Sequence, residues 1–375
     1  MPIKKISRRT LLQATGLATA ASLISSCDNS GTPDKPGDSA KIIKKNIEWK
    51  MVTTWPKNFP GLGTGAQRIA DNITYMSDGR LTIKLFAAGE LVPAFECFDA
   101  VRENKAQMFH ASPYYWINKN KSMPFFGAVP GGVTAQEHNA WINYAGGQKL
   151  WDEMYAQFGL KPFMGGNSGT QMGGWFLKEI NSKEDFKGLK MRIPGLAAEV
   201  LNRMGGTAVA LPGGEIMPAL QSGAIDATEW VGPWNDLAFG FHKITKFYYG
   251  PGFHEPSSAL ECSTNLKAYN ELDNDLKSII QNACEAENTR MISEFTAANI
   301  DAQEKLVSEY GVIIRNFPKD VFNLMMSLSK EVVSETATEG KLNKEIYESW
   351  SSFKKKANQR ATFNEHGYTN LSNNT

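Results

Sequence analysis

The pattern that most constrains this chain is an alternation of strand-like and helix-like segments that begins near residue 47. Residues 47–54 and 81–86 read as strands, the second with clean alternation of apolar and polar side chains. Between them, Ile69, Ile73 and Met76 recur at the spacing of one helix face. Strands that alternate with helices are typical of layered α/β folds. We therefore predict an α/β protein.

A second series of the same kind begins at residue 161, after a helical stretch over residues 135–158. Its predicted strands cover residues 161–165, 174–177, 190–193, 207–211 and 227–231, and its predicted helices cover residues 197–204 and 214–222. At about 150 residues per domain, the chain is long enough for two cores. We predict a first lobe over residues 47–160 and a second lobe over residues 161–260.

Residues 273–310 contain no proline and carry apolar side chains at helical spacing, including Leu276, Ile280 and Phe295. A helix of nearly 40 residues is longer than one compact lobe. It therefore packs either across both lobes or against another subunit. We assign residues 261–375 to this long helix and a C-terminal helical region.

The N-terminus has the parts of an export signal. A basic start with Arg8-Arg9 is followed by a mildly apolar stretch and by the small-residue end Ile24-Ser-Ser-Cys27. The arginine pair resembles a twin-arginine export signal, and the end resembles a lipoprotein cleavage box in which the cysteine is lipidated. A buried helix with a chance arginine pair is the alternative. We predict a signal peptide over residues 1–27 and a flexible linker over residues 28–46.

Charge, hydropathy and cysteine content exclude several classes of protein. The 40 Lys and Arg residues are balanced by 39 Asp and Glu residues, so no long-range field attracts nucleic acid. No apolar run reaches the 18 to 20 residues of a membrane span. Apart from Cys27, the chain contains Cys97, Cys262 and Cys284, without the spacing of a zinc or iron–sulfur site. One disulfide with a free thiol and three buried thiols are both open.

Two glycine-rich stretches approach enzyme motifs without matching them. Residues 61–66 fit the G-x-G-x-x-A pattern of dinucleotide-binding proteins, but a loop at residues 55–60 separates them from the preceding strand. Residues 165–169 resemble a nucleophile elbow, but Thr170 replaces the required glycine. The five histidines form no H-E-x-x-H pair. We therefore predict no catalytic residues and no enzyme activity.

Four polar residues of the second series lie at predicted strand ends or in loops: Gln171, Arg192, Glu229 and Glu255. In open α/β sheets, ligands bind at the carboxyl ends of the strands. Arg192 precedes the Pro194-Gly195 stop of its strand, and a guanidinium in a cleft is a bidentate partner for a carboxylate. A surface arginine on an edge strand explains the same sequence equally well.

Several ordered stretches of the chain together resemble one family of transport proteins. They are Thr53-Thr-Trp-Pro-Lys57, His110-Ala-Ser-Pro-Tyr-Tyr-Trp116, Gly165-Gly-Asn-Ser-Gly-Thr-Gln-Met-Gly-Gly-Trp-Phe176, Phe186-Lys-Gly-Leu-Lys-Met-Arg-Ile-Pro-Gly195 and Leu220-Gln-Ser-Gly-Ala-Ile-Asp-Ala-Thr-Glu-Trp230. Residues 49–255 thus resemble the extracytoplasmic solute-binding subunit of tripartite ATP-independent periplasmic (TRAP) transporters, in the branch that binds 2-oxo acids. The resemblance implies two α/β lobes of the type II periplasmic-binding fold, joined by a hinge and closing over the ligand.

For the acid, the resemblance implies that Arg192 binds the substrate carboxylate and that Glu255 places a further carboxylate at the site. Tyr114 and Tyr115 are expected to form an aromatic wall beside the ligand. Gln171 is expected to contact both the ligand and a metal ion. The chain length of the acid is not fixed by these residues.

For the metal, the resemblance implies that Gln171, the Glu229 side chain and the Trp230 backbone carbonyl hold an ion, usually sodium, that bridges to the ligand. Charge supports a cation. Once Arg192 is paired with a monocarboxylate, Glu229 and Glu255 leave two negative charges in a cleft that excludes water. Oxygen ligands of this kind suit sodium or calcium rather than zinc.

We therefore expect a periplasmic receptor that captures a small 2-oxo or 2-hydroxy acid with its cation and delivers it to the TRAP permease subunits. The resemblance further implies that the long helix can be exchanged between two copies to form a homodimer. A lipid on Cys27 would tether the receptor to the membrane. Two alternatives are a sensory ligand-binding protein and, with less support, an exported enzyme that uses Glu229 and Glu255 as a carboxylate pair.

Overall fold

Two mixed β-sheets form the framework of the structure, a computed structural model that describes residues 46–372. The predicted signal peptide and all but the last residue of the predicted linker lie outside the described residues. Within the described part, no helix is both long enough and apolar enough to cross a membrane. The α/β prediction is confirmed.

The strands are β1 (Ile47–Thr53), β2 (Leu81–Phe86), β3 (Met108–Ala111), β4 (Leu160–Asn167), β5 (Gly174–Phe176), β6 (Lys190–Arg192), β7 (Thr207–Val209), β8 (Ala227–Thr228), β9 (Phe247–Tyr249), β10 (Ala259–Asn265) and β11 (Ile313–Arg315). The first sheet has the order β2-β1-β3-β10-β4, and the second has the order β11-β9-β5-β8-β6-β7. In the first sheet β10 is antiparallel to β3 and β4. In the second, β6 is parallel to both β7 and β8.

The helices cover the sheets and connect them. They are α1 (Leu62–Met76), α2 (Cys97–Arg102), α3 (Ala135–Tyr144), α4 (Gly147–Ala156), α5 (Leu196–Arg203), α6 (Gly213–Ser222), α7 (Pro233–Phe239), α8 (Leu266–Asn270), α9 (Asn274–Ser308), α10 (Lys319–Glu335), α11 (Lys341–Ala361) and α12 (Glu365–Ser372). The single helical stretch predicted over residues 135–158 is in fact α3 and α4. The break occurs at Gly146, which has a φ of 92°, a conformation that favours glycine.

Sheet membership differs from the predicted lobe boundaries at residues 160 and 260. β4 falls in the predicted second lobe, yet it pairs with β10 in the first sheet. β11 lies beyond residue 260, yet it pairs with β9 in the second sheet. The reason is that the chain crosses between the sheets more than once. An antiparallel strand that returns to an earlier sheet carries no sequence mark of which sheet it joins.

The long helix α9 spans 35 residues and packs across both halves of the molecule. It contacts β4 and α1 on the side of the first sheet and α7 on the side of the second. Its buried side chains include Ile280, Met291 and Phe295. The first of the two expected arrangements is therefore present within one chain, while the homodimer stays a prediction.

The glycine-rich stretch at residues 61–66 begins α1, and close helix packing accounts for it. A Cβ atom on Gly65 would lie 2.3 Å from Met291 Cε and 2.8 Å from Glu287 Oε1, both on α9. Gly61 has a φ of 68°, and a Cβ atom there would lie 2.6 Å from the Phe295 ring. Glycine at these positions lets α1 approach α9 closely.

The three cysteines that follow the signal peptide are buried and carry free thiols. Cys262 and Cys284 belong to the apolar cluster that fills the space between the first sheet and α1 and α9. Of the two possibilities that the sequence leaves open, the structure has the three buried thiols.

Candidate ligand and cation site

Two neighbouring parallel strands of the second sheet place Arg192 and Glu229 side by side. Arg192 is the last residue of β6, and it lies in register with Thr228, the last residue of β8. Glu229 follows directly, and its backbone N–H donates to the Arg192 carbonyl at 3.2 Å. Both side chains therefore leave the sheet at its carboxyl edge, where ligands bind in α/β folds.

The Arg192 side chain is 1% exposed and is paired with the fully buried carboxylate of Glu229. Its Nη1 donates to Glu229 Oε1 in a short contact and to the Glu229 carbonyl at 3.3 Å, while Nε donates to the Leu211 carbonyl at 3.0 Å. Its guanidinium carbon lies 5.0 Å from the centroid of the Trp230 ring. Arg192 is thus not a surface residue, and β6 lies inside its sheet.

Glu229, His254 and Glu255 form a buried cluster whose possible ligand atoms all lie within 4.8 Å of one another. His254 Nε2 is 3.3 Å from Glu229 Oε2. His254 was not among the predicted site residues, since the histidines of the sequence form no H-E-x-x-H pair. Its position next to Glu255 in the loop after β9 was the one available signal.

Electrostatics in this cluster favour an added positive charge. Burial raises the pKa of Glu255 to about 7, with the charge of His254 opposing the shift and the charge of Glu229 adding to it. Burial alone would lower the pKa of His254, but contact with Glu229 and the charges of both glutamates outweigh burial and raise it. A positive charge beside Glu255 would therefore stabilise its ionised form, and a bound cation supplies such a charge.

Buried polar atoms without a hydrogen-bond partner in the described structure gather around these residues. They are Gln171 Oε1, Arg192 Nη2, Glu229 Oε2, Glu255 Oε2 and both ring nitrogens of His254, where Glu229 Oε2 and His254 Nε2 lie 3.3 Å apart without hydrogen-bond geometry. Each such atom costs about 1–3 kcal/mol when it stays unpaired. The free guanidinium nitrogen suits a carboxylate, and the free oxygens suit a hard cation. The residues present therefore fit an acid together with sodium or calcium.

Backbone hydrogen bonds join the three loops that carry Gln171, Trp230 and Glu255. Gln171 N–H donates to the Glu255 carbonyl at 3.0 Å, and Met172 N–H donates to the Val231 carbonyl at 3.1 Å. The Gln171 amide nitrogen donates to Ser168 Oγ at 3.1 Å, so its oxygen is the end that remains available. The structure thus brings the Gln171 loop beside those of Trp230 and Glu255.

Tyr114 and Tyr115 lie in a 3₁₀ turn that follows β3 of the first sheet, with their ring centroids 4.9 Å apart. Burial raises the pKa of Tyr115 to about 12, against the nearby positive charge of Arg192. Gly195, which has a φ of 68°, packs against Tyr114, since a Cβ there would lie 3.2 Å from the tyrosine Cβ. A cavity of about 260 Å³ lies between this turn and the Pro194 loop of the second sheet.

Trp55 is a further aromatic residue at the site, and the sequence analysis did not select it. Its ring centroid is 6.1 Å from that of Tyr115 and 6.2 Å from that of Trp230. Its Nε1–H donates to His110 Nδ1 at 2.7 Å, and His110 Nε2 lies 3.1 Å from the Gly165 carbonyl. Burial lowers the pKa of His110 to about 4, so this histidine is neutral and structural.

Comparison with known sequences identifies one family and a close relative. The model of the family described as bacterial extracellular solute-binding protein, family 7, matches residues 51–339. A monocarboxylate 2-oxoacid-binding periplasmic protein of Nostoc sp. is 38% identical over 366 residues, which cover 98% of this chain and 99% of the relative.

Comparison with solved structures also finds periplasmic solute-binding proteins. A TRAP periplasmic solute-binding protein of Pseudoalteromonas atlantica, solved with bound sodium and pyruvate, has a TM-score of 0.84 at 41% identity, covering 87% of this chain and 99% of the other. One of Colwellia psychrerythraea, solved with bound calcium and pyruvate, has a TM-score of 0.83 at 40% identity, covering 87% of this chain and 100% of the other.

Proposed function

Since the chain belongs to family 7 of the bacterial extracellular solute-binding proteins, we propose that it is a receptor for a small 2-oxo monocarboxylate, which it binds together with sodium or calcium. One observation carries the proposal: a guanidinium nitrogen of Arg192 and oxygens of Gln171 and Glu229 that make no hydrogen bond within the described structure are buried at one site. A monocarboxylate would pair with the guanidinium nitrogen, and a cation would pair with the two oxygens.

The existing pair explains why the acid and the cation bind together. Arg192 uses Nη1 for Glu229 and Nε for Leu211, which leaves Nη2 for the acid. A carboxylate that takes both Nη1 and Nη2 must displace the Glu229 oxygen. A cation that binds the Glu229 carboxylate makes this displacement favourable, because the carboxylate is not left unpaired in a buried site. Each ligand therefore raises the affinity for the other.

The cation is proposed to bind Gln171 Oε1, the Glu229 carboxylate and the Trp230 backbone carbonyl. The oxygen-only donor set and the burial of Glu229 support this assignment, as do the sodium and the calcium bound in the two relatives of known structure. Glu255 adds negative charge beside the cation. We propose no role for His254 in holding the metal, because neutral imidazole is a poor ligand for sodium and calcium.

The proposed acid is small and carries one carboxylate. Tyr115 lies close enough to Arg192 to interact with its charge, and its ring contacts those of Tyr114 and Trp55. Aromatic rings at this position suit the short apolar end of such an acid. Pyruvate is bound by both relatives of known structure and is the first compound to test. Proteins of this family are transporter receptors and not enzymes, so Glu229 and Glu255 are not proposed as a catalytic pair.

The same proposal covers export of the protein, its anchoring in the membrane, delivery of the acid and formation of a dimer. The receptor is proposed to leave the cytoplasm through its twin-arginine signal, to be lipidated at Cys27 and to deliver its acid to a TRAP permease in the membrane. The long helix α9 is proposed as the dimer segment, and its exposed Ile300 and Val307 provide apolar side chains for a second copy. Light scattering of the purified protein measures the dimer, and labelling with a radioactive fatty acid, with Cys27→Ser as control, measures the lipid.

Isothermal titration of the purified protein tests the proposed function. Pyruvate, longer 2-oxo acids, lactate and C4 dicarboxylates are titrated in cation-free buffer and then with sodium or calcium added. We expect one monocarboxylate to bind tightly, only with a cation present, and to be recovered unchanged. Failure of every acid to bind, or equal binding after complete removal of both cations, would refute the proposal.

A further inference from the structure

Asp236, in the first turn of α7, accepts four hydrogen bonds although it is no candidate ligand. Its side chain is buried. Oδ1 accepts from the backbone N–H groups of Val231 and Gly232, at 3.2 Å each. Oδ2 accepts from Trp175 Nε1 at 2.9 Å and from the Tyr248 hydroxyl at 2.6 Å. One carboxylate thus connects a loop to two side chains of the second sheet.

The Oδ2 side of this arrangement is rigid. Trp175 in β5 and Tyr248 in β9 are opposite each other in adjacent antiparallel strands. Their rings are stacked with centroids 4.0 Å apart, and both side chains are fully buried. Two donors fixed in this way leave the carboxylate little freedom to move.

The Oδ1 side holds the turn that directly follows Trp230. Val231 is fixed from both sides, because its N–H donates to Asp236 and its carbonyl accepts from Met172 N–H at 3.1 Å. The peptide that joins Trp230 to Val231 contains the Trp230 carbonyl and the Val231 N–H. A hydrogen bond to that N–H therefore sets the orientation of the whole peptide plane, including the carbonyl.

A helix start alone does not require this residue. A neutral Ser or Asn side chain can satisfy free backbone N–H groups at a helix N-terminus. Here burial raises the pKa of Asp236 to about 6, and hydrogen bonds from Tyr248, Trp175 and the Val231 N–H oppose this shift by favouring the charged form. A neutral side chain would suffice as a helix cap. The buried carboxylate therefore indicates that the loop after Trp230 must be held in one fixed geometry.

We propose that Asp236 is a positioning residue of the cation site, which aims the Trp230 carbonyl at the ion by fixing the peptide that follows it. It touches neither the ion nor the acid. This inference rests on the proposed function, because it assumes that the Trp230 carbonyl is a ligand of the cation. Residues that orient metal ligands in this way contribute strongly to metal affinity.

The test is titration of Asp236→Asn with sodium chloride and with calcium chloride in the presence of pyruvate. An asparagine has one acceptor oxygen, so it cannot serve the loop and both sheet donors. We expect the cation affinity to fall about 10- to 100-fold. At saturating cation, the pyruvate affinity should stay within about twofold of the unmodified protein, because the ion then fills its site.

Two further variants separate positioning from folding. Asp226→Asn removes the same charge from the same half of the molecule, where Asp226 Oδ2 accepts from Lys190 N–H at 3.0 Å, and it should leave the cation affinity unchanged. Tyr248→Phe removes one anchor of Oδ2 and leaves the loop contacts in place. It should weaken cation binding by a smaller factor in the same direction, and it keeps the test valid if Asp236→Asn does not fold.

The outcomes are distinguishable. The inference is overturned if Asp236→Asn and Tyr248→Phe both bind the cation as the unmodified protein does, or if pyruvate affinity falls equally at every cation concentration, as a general loss of structure would cause. If the unmodified protein itself shows no cation-dependent pyruvate binding, the proposed function has failed instead.

Discussion

Two arginine–glutamate pairs in this molecule, one part-buried and one fully buried, differ in how completely they are hydrogen-bonded. Arg68 on α1 holds Glu287 on α9 through Nε–Oε2 at 2.9 Å and Nη2–Oε1 at 2.6 Å, and Nη2 also contacts Glu294 at 2.7 Å. Among the described residues, none of these groups has a buried polar atom without a partner. The Arg192–Glu229 pair, in contrast, leaves one atom without a hydrogen bond on each side chain, although Glu229 Oε2 lies 3.3 Å from His254 Nε2.

The difference separates a pair that holds the fold from a pair that awaits a ligand. Burying charges costs free energy, and complete hydrogen bonding offsets that cost when the charges have only a structural role. In the Arg192–Glu229 pair the hydrogen bonding is incomplete, and the atoms without hydrogen bonds lie where the carboxyl ends of two strands meet. A buried charge whose hydrogen bonds are incomplete therefore indicates a functional site, and the geometry of the ion pair alone would not reveal it.

The largest effect is expected when the incomplete pair is broken. Arg192→Ala should weaken pyruvate binding by about 2–5 kcal/mol, because it removes the buried partner of the acid. It should also reduce stability, since Glu229 is left as an unpaired buried charge. The double variant Arg192→Met/Glu229→Gln removes both charges and should be about as stable as the unmodified protein while binding no acid. Calorimetric titration and urea unfolding measure the two quantities, and retained affinity in either variant would contradict the carboxylate role of Arg192.

Breaking the complete pair should reduce stability and leave pyruvate affinity unchanged. Arg68→Met leaves Glu287 buried without its partner and should reduce the free energy of unfolding by about 3 kcal/mol. Pyruvate affinity of the folded protein should stay within about twofold. Arg102→Ala, which breaks exposed ion pairs with Asp99 and Glu103, is the control and should cost less than about 0.5 kcal/mol. A large loss of affinity in Arg68→Met would show that the two pairs do not divide the roles in this way.

The carboxylate half of the incomplete pair should govern the cation. Glu229→Gln is expected to weaken sodium or calcium binding about 10- to 100-fold, because an amide oxygen replaces a charged ligand. Glu294→Gln changes the carboxylate that also contacts Arg68 of the complete pair, and it should leave cation dependence intact. Titration of each variant with pyruvate across a range of cation concentrations makes the comparison. Unchanged cation dependence in Glu229→Gln would remove this residue from the metal site.

Glu261 extends the comparison, because this buried carboxylate has neutral hydrogen-bond donors and, among the described residues, no arginine partner. Glu261 accepts from Trp116 Nε1 and from Ser263 Oγ, each at 2.6 Å, and burial raises its pKa to about 7. This folded-state value exceeds the ordinary value of 4.5, so the folded protein binds the proton more tightly than the unfolded chain does. Stability therefore falls as the pH rises from about 4.5 through 7, by about 1.4 kcal/mol between pH 6 and 8 from this group.

Glu261→Gln should remove that part of the pH dependence and leave pyruvate binding unchanged. Urea unfolding of both proteins at pH 6 and pH 8 checks the difference, which cancels the contribution of other titrating groups such as Glu255. Parallel pH profiles for the two proteins would show that Glu261 does not titrate in this range.

The sequence predicted the α/β class and most local elements, because hydrophobic periodicity is a local property. The strand that ends at Arg192 and the long helix α9 were both expected near their observed positions. Which sheet β4 and β10 join could not be predicted, since strand pairing depends on distant contacts. The break between α3 and α4 depended on the positive φ of Gly146, which the sequence permits without requiring.

The polar residues of the site were selected from strand ends and from a family resemblance, and the structure brings several of them together. The Arg192–Glu229 contact follows from two parallel strands in register, a fact that no local pattern contains. His254 and Trp55 were missed because a single histidine or tryptophan has no periodic signature. Asp236 was missed because its importance lies in four partners from three separate segments of the chain.

The most direct test of the central claim is a crystal structure of the protein grown with sodium and pyruvate. We predict that the pyruvate carboxylate accepts from Arg192 Nη2 and that the ion contacts Gln171 Oε1, the Glu229 carboxylate and the Trp230 carbonyl. The complete pair of Arg68 and Glu287 should be unchanged. A structure in which pyruvate binds away from Arg192, or in which Glu229 contacts no ion, would contradict the account.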